Sequence, residues 1–420
     1  MKGTASNASA GGLWSRPENL LFTQTLVQGV NLGCSVLAVG ILPAREVGLL
    51  ALQTAIAAWL YFTHAGTLNH LFNELPRLDD PGQSQRRETM LRGAIGVLTT
   101  VSLPLTLIGC VPFVALFNNE LERGEQMPEF FLATILSVVG AQWTQVKECD
   151  IKSRGIPDLL ARWNLLQAAS SALPLLLLVW VPAYHLLLFR ASIGQATVAA
   201  IVLIGEGAVL FRPVLHDIAS YMRGGFHLVL CQALSVLILQ GERLLVARYA
   251  GVTVVGELQL YFLLQTGVQL IPATVTNLWF PAARREPTRE VLRTSLTKAL
   301  RFSVVSLGAF AIGGVLTGMA LRQGWAGEAY RRAADGLIIG SLVAPAHMLG
   351  SLLFIYMAKD RVPVFVFTQI GVFVSQAILY SIYPHTGSIY VALAIRGAIL
   401  YVALFAGLIT TWRLIRKSEI

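Results

Sequence analysis

Twelve windows of about 20 residues, each apolar enough to cross roughly 30 Å of hydrocarbon, follow one another along this chain. They begin near Leu20, Val47, Gly93, Glu129, Asp158, Ser192, Gly225, Val254, Ala299, Ala334, Pro363 and Ile389. The pattern predicts an all-α polytopic membrane protein of twelve transmembrane helices. Arg190 interrupts the apolar run from Val181 to Leu210, so the outer boundary of the sixth span is ambiguous. Composition points the same way: 55% of residues are hydrophobic and 13% charged, whereas a soluble globular domain carries about 25% charged residues.

The net charge of +9 raises nucleic-acid binding, but the cations sit in short loops between apolar spans rather than along one face. Retention of positive loops in the cytoplasm explains that placement and fixes orientation. With both termini inside, the cytoplasmic tails and loops hold 22 of the 32 basic residues. Arg45, Arg123, Arg190, Arg243, Arg248, Arg322, Arg331 and Arg332 fall outside, and Arg162 and Arg396 fall within spans. Met1 to Arg16 lacks the apolar core of a cleavable signal, so the first span is expected to direct insertion. Short outer loops leave no room for an outside catalytic domain.

Val47-Gly48, opening span two, recurs 208 residues later as Val255-Gly256, opening span eight. The Ser-Arg-Gly-Ile-Pro157 turn before span five is echoed by Lys-Asp-Arg-Val-Pro363 before span eleven. Such a repeat predicts two six-helix lobes in the same orientation, with the substrate path in a central cavity between them. The boundaries follow as a cytoplasmic tail 1–19, a first lobe 20–211, a linker 212–224, a second lobe 225–412 and a tail 413–420.

Two stretches carry a resemblance, AREVGLLALQTAIAAWLYFTHAGTLNHLFNELPRL from Ala44 to Leu78 and GERLLVARYAGVTVVGELQLYFLLQTGVQLIPATVTNLWFPAARR from Gly241 to Arg285. The chain resembles, over nearly its whole length, the Wzx-type oligosaccharide flippases of the multidrug/oligosaccharidyl-lipid/polysaccharide exporter superfamily. Glu242 stands where such sequences often have Asp, and Leu49 or Glu257 where an aromatic often follows the loop glycine. Twelve spans replace the fourteen of some relatives. The resemblance implies a bacterial inner-membrane protein that moves an undecaprenyl-diphosphate-linked glycan from the cytoplasmic to the outer leaflet. It also implies membrane lipids as surroundings, and polysaccharide polymerase and export proteins as candidate partners.

An anionic diphosphate headgroup needs a polar, cationic route, and guanidinium holds phosphate oxygens bidentately without losing its charge. Charges within a span are costly and usually functional. Glu242 and Arg243 interrupt the apolar run from Leu228 to Tyr261, about 24 Å up span seven. That depth suits a late, outward-facing contact. Arg396 lies roughly 10 Å below the outer boundary of span twelve with no local partner, and is the candidate for the central site. Arg162, about 6 to 8 Å into span five, either lines the path or snorkels to the interface. As neighbours, Glu242 and Arg243 cannot pair face to face, so each is free to contact another helix.

Buried carboxylates hold protons more tightly, making Glu206 and Glu242 candidate proton-coupling sites. His347, beside Pro345, is either a proton relay or a hydrogen-bonded packing residue. Pro104, Pro112, Pro174, Pro272 and Pro345 fall within spans, where they kink helices or free backbone groups. Gly29 and Gly33, and Gly336 and Gly340, have the spacing of close helix contacts.

No Gly-Lys dipeptide occurs, which rules out a P-loop, and neither H-E-x-x-H nor G-x-G-x-x-G is present. Cys34, Cys110, Cys149 and Cys231 are too scattered for a metal or disulfide set. No cofactor or metal is expected. Two other readings stay open: a cation-coupled drug exporter of the same superfamily, which should show acids at mid-membrane, and a membrane polysaccharide polymerase or ligase, which should show a large outer loop.

Overall fold

The computed structural model describes residues 17–78, 81–121, 127–154, 157–206, 218–285, 288–324, 328–359, 361–382 and 389–416. Regular structure among them is helical. The α-helices are α1 (Pro17–Ile41), α2 (Ala44–Leu60), α3 (Thr67–Glu74), α4 (Ser84–Val97), α5 (Leu103–Leu121), α6 (Met127–Ser153), α7 (Pro157–Ala172) and α8 (Ala183–Glu206). They continue with α9 (Ile218–Ala250), α10 (Val252–Glu257), α11 (Gln259–Arg285), α12 (Arg289–Arg322), α13 (Glu328–Val343), α14 (Leu353–Ala358), α15 (Val362–Ile382) and α16 (Ile389–Arg416).

Among the described residues, six stretches are both long and apolar enough to cross a bilayer: Ala44–His64, Ser84–Phe117, Arg289–Arg322, Ala333–Ala358, Val362–Ile382 and Ile389–Arg416. Large apolar side chains stand outward on these helices, including Val305 and Phe367 at 72% exposure and Val402 at 69%. Such a surface is stable against lipid, not water, and the chain is a multi-pass membrane protein.

Proline marks several breaks in the spans. Pro174 and Pro345 stand second in the 3-10 segments Leu173–Val179 and Ala344–Leu352, and Pro104 follows a π turn at Leu98–Ser102. The missing N–H and the ring clash end the regular α ladder there. Pro112 and Pro272 instead lie inside continuous helices. The sixth span begins at Ala183, nine residues before the expected Ser192, and runs through Arg190. That guanidinium donates to Asn31 Oδ1 at 3.0 Å and to the Ser171 carbonyl at 3.3 Å, so the charge does not stop the helix. The expected linker lies outside the described residues up to residue 217, and from Ile218 onward it is already α9.

The chain divides into two compact units, one of Met1–Ala38 with Ile56–Leu230 and one of Val39–Ala55 with Cys231–Ile420. In the first unit, Leu68, Leu71 and Leu75 pack with Leu91, Ile95, Leu98 and Val146, which joins α3, α4 and α6. Asp150, 1% exposed, organises the charges at one end of this core. Its Oδ1 accepts from Arg87 Nε at 2.8 Å, and Oδ2 meets Lys147 Nζ at 3.2 Å and an Arg154 nitrogen at 3.1 Å. Arg87 also reaches the carbonyls of Asp150 at 2.8 Å and Leu75 at 3.3 Å, and the Ser153 hydroxyl. Replacing Asp150 with Asn strips a buried guanidinium of its counter-charge. The expected loss is about 3–5 kcal/mol, read by thermal unfolding in detergent, and a change below about 1 kcal/mol would mean that the pair does not tie α4 to α6.

In the second unit, α11 to α14 and α16 share a core around Leu292, Leu296, Leu349, Leu352, Phe354 and Leu404. Gly336 and Gly340 bring α13 close to Leu258 and Tyr261; a Cβ at Gly340 would lie 2.7 Å from Tyr261 Cδ2. The other pair behaves differently. Nothing lies within 4 Å of a Cβ at Gly29 or Gly33, so among the described residues those glycines close no helix contact.

Candidate functional site

The long charged and amide side chains of α9, α11, α15 and α16 meet inside the second unit. Tyr261 and Gln265 lie four residues apart on α11, with Gln269 four further on, so all three share one helical stripe. Gln376 and Tyr380 repeat the spacing on α15. Sequence inspection singled out Glu242 and Arg396 but none of these five, because Tyr and Gln read individually as ordinary span residues. The recurrence of polar groups at every fourth position was the available signal.

Glu242 and Arg396 are both fully buried, and Arg396 Nε lies 2.9 Å from Glu242 Oε1. This is an ion-pair contact rather than an aligned hydrogen bond, since Nε makes none. The Tyr261 hydroxyl donates to the same oxygen at 3.0 Å and accepts from Arg396 Nη1 at 2.8 Å. The Tyr380 hydroxyl donates to it at 2.5 Å. Arg396 Nη2 reaches Gln265 Oε1 at 3.3 Å. The contacts of Glu242 thus all fall on its Oε1, while its Oε2 has no partner. Gln265 Nε2 and both side-chain polar atoms of the fully buried Gln376 are likewise unpartnered. Polar atoms buried without a partner are costly, and several of them lie on α9, α11 and α15.

Arg243 is buried beside this cluster without a carboxylate of its own. Its Nη2 donates to the Phe262 carbonyl at 3.3 Å and to Thr266 Oγ1 at 3.2 Å. The guanidinium lies 5.1 Å from the Phe262 ring centroid, a cation–π contact. Two guanidiniums and one carboxylate leave the cluster with a positive excess.

The structure thus corrects the separation of Glu242 from Arg396 into outer and central positions: they form one site. Depth along a helix does not show which helices adjoin, and these two adjoin. Arg396 does lack local partners, as its flanking residues suggest, but takes its partners from α9 and α11. Next to it, Gly397 permits the approach of Val343, whose Cγ2 would be 2.6 Å from a Cβ there.

His347 is buried, and the Gln269 amide lies 2.9 Å from its Nδ1 while Nε2 has no partner. With the amide nitrogen donating, the ring proton sits on Nε2. Arg162 stands apart from all of these on α7 in the first unit, 71% exposed and 2.9 Å from Asp158 one turn earlier. Glu206 is the last residue of α8, and its side chain lies outside the described residues.

Neither a protein-family model nor a curated protein sequence matches the chain. Solved structures do. The lipid II flippase MurJ in an inward closed conformation is similar with a TM-score of 0.72 at 13% identity, over 95% of this chain and 90% of that one. The outward-facing conformation of a multidrug resistance MATE family transporter of the MOP superfamily gives 0.64 at 12%, over 96% of each chain. A MOP superfamily transporter from Pyrococcus furiosus gives 0.61 at 12%, again over 96% of each. The chain therefore has the fold of the MOP-superfamily membrane transporters.

Proposed function

We propose that the protein is a flippase that carries an undecaprenyl-diphosphate-linked oligosaccharide from the cytoplasmic to the outer leaflet of a bacterial inner membrane, for O-antigen, capsule or exopolysaccharide assembly. In this reading twelve spans form two lobes, residues 20–211 and 225–412, both termini are cytoplasmic, and the lobes rock in alternating access. The observation that carries it is the charge of the buried cluster, Arg243 and Arg396 against Glu242. The fold is shared by a lipid II flippase and by multidrug transporters, and the sign of the site favours the former. A cationic drug would meet a positive excess, whereas a diphosphate supplies the missing negative charge.

Mechanistically, phosphate oxygens take the place of the Glu242 carboxylate on Arg396 as the cluster opens. Guanidinium then never faces a low-dielectric surrounding without an anion. The displaced Glu242 is left without its cation and takes up a proton, for which the unpartnered Oε2 is available. Headgroup entry and protonation are thereby linked, and the proton is returned when Glu242 regains Arg396.

Glycan-lipid translocation in proteoliposomes tests the reading. Arg396→Gln and Arg243→Gln, compared at matched protein levels, should each slow flipping by about tenfold or more, as expected for loss of a charge-assisted phosphate contact. Wild-type rates in both variants would eliminate the two residues as headgroup anchors. Collapse of the proton gradient should slow the wild type, and unchanged rates would remove Glu242 and Glu206 as proton sites.

A further inference from the structure

We infer that the N-terminal end of α12 is a binding site for the headgroup phosphate of anionic membrane lipids, a role independent of the transported substrate. The helix has 34 residues, which at 1.5 Å each is about 51 Å, well beyond the roughly 30 Å of hydrocarbon. The uncharged run Phe302 to Leu321 is enough to cross the membrane, so Arg289 to Arg301 projects up to about 20 Å beyond it, with Lys298 and Arg301 nearest the lipid phosphates. This projection is two-faced. Leu292, Leu296 and Ala299 are buried in the core of the second unit, while Arg293, Thr294, Thr297, Lys298 and Arg301 are exposed.

The exposed face lines a groove of about 760 Å³ with Arg289, Arg293, Lys298 and Arg301 against the single acid Glu290. The side chains of Arg293, Lys298 and Arg301 have no hydrogen-bond or ion-pair partner among the described residues. Arg92 and Arg162, on other helices, each have an acid one turn away, Glu88 and Asp158; here four cations share the one acid Glu290. Unpaired guanidinium and ammonium groups close beyond the apolar run, with hydroxyls between them, complement a phosphodiester whose acyl chains remain in the bilayer.

Native mass spectrometry of the full chain in detergent, titrated with dioleoyl-phosphatidylglycerol or dioleoyl-phosphatidylcholine, tests this. The wild type should retain phosphatidylglycerol about tenfold or more over phosphatidylcholine. The triple variant Arg293→Gln, Lys298→Gln, Arg301→Gln should lose about tenfold to a hundredfold of that retention, from roughly one contribution per cation. The pair Arg413→Gln, Arg416→Gln on α16 should keep it. No preference in the wild type overturns the inference, as does undiminished retention in the triple variant or an equal loss in the α16 pair. Displacement of phosphatidylglycerol by equimolar inorganic phosphate would assign the groove to a free anion and overturn the lipid assignment.

Discussion

Replacing Arg396 with Gln is expected to destabilise the protein by about 3–5 kcal/mol, because it leaves the fully buried Glu242 carboxylate without its cation. Glu242→Gln should cost a similar amount for the mirror-image reason. The informative variant is the double. Once both are gone neither leaves the other unpaired; the buried Arg243 loses the attraction of Glu242 but keeps its neutral acceptors, and Tyr261, Tyr380 and Gln265 retain neutral partners. The double variant should therefore unfold much closer to the wild type than the sum of the singles, with a coupling energy in the range of about 0.5–3 kcal/mol or above. Thermal and denaturant unfolding in one detergent gives all three values, and additive losses would show that the 2.9 Å contact carries no mutual stabilisation. Transport separates the roles: under the proposed mechanism the stable double variant still fails to flip, since it has lost the anion-binding guanidinium and the titrating carboxylate together. Arg243→Gln should cost less, about 1–3 kcal/mol, because Arg243 is held by neutral acceptors and a ring rather than by an acid of its own.

The contrast between those residues marks what the sequence makes readable. An ionisable side chain in an apolar span is conspicuous, and Glu242, Arg243 and Arg396 are all buried as that rule anticipates. Which of them face one another is set by helix adjacency and rotation, and neither is encoded in the residues of a single span. Arg190 is the reverse case: it reads as a break, yet α8 continues through it because Asn31 and a backbone carbonyl satisfy it. Periodicity recovers part of the remainder. Tyr261, Gln265 and Gln269 form a stripe visible in the sequence once spacing rather than identity is examined. Small-residue spacing alone is ambiguous, since Gly336 and Gly340 close a contact while Gly29 and Gly33, at the same interval, do not.

Alanine at Gly48 or Gly256 is expected to cost about 3 kcal/mol, at the upper end of overpacking effects, because at both sites the obstacle is backbone. A Cβ at Gly48 would lie 1.9 Å from the Val252 carbonyl oxygen, and one at Gly256 would lie 1.7 Å from the Ala44 carbonyl oxygen. The geometry is reciprocal: each glycine meets the carbonyl of the residue four positions before the other. Ala44 and Val252 are separated by 208 residues, as are Gly48 and Gly256. The weak internal repeat is thus also a physical contact within the second unit, and it explains why glycine recurs at that offset. No side chain can yield here; α2 and α10 must separate to admit a methyl group, forfeiting the close backbone approach. Separation by one methyl makes room for the other, so Gly48→Ala, Gly256→Ala together should cost less than the sum of the singles. Gly29→Ala and Gly33→Ala supply the control, with nothing within 4 Å of either Cβ and a gain of up to about 1 kcal/mol from helix propensity. Unfolding in detergent reads the sign directly. Were Gly48→Ala to shift stability in the same direction as Gly29→Ala, the helices would not depend on backbone contact, and the 208-residue recurrence would carry no structural meaning.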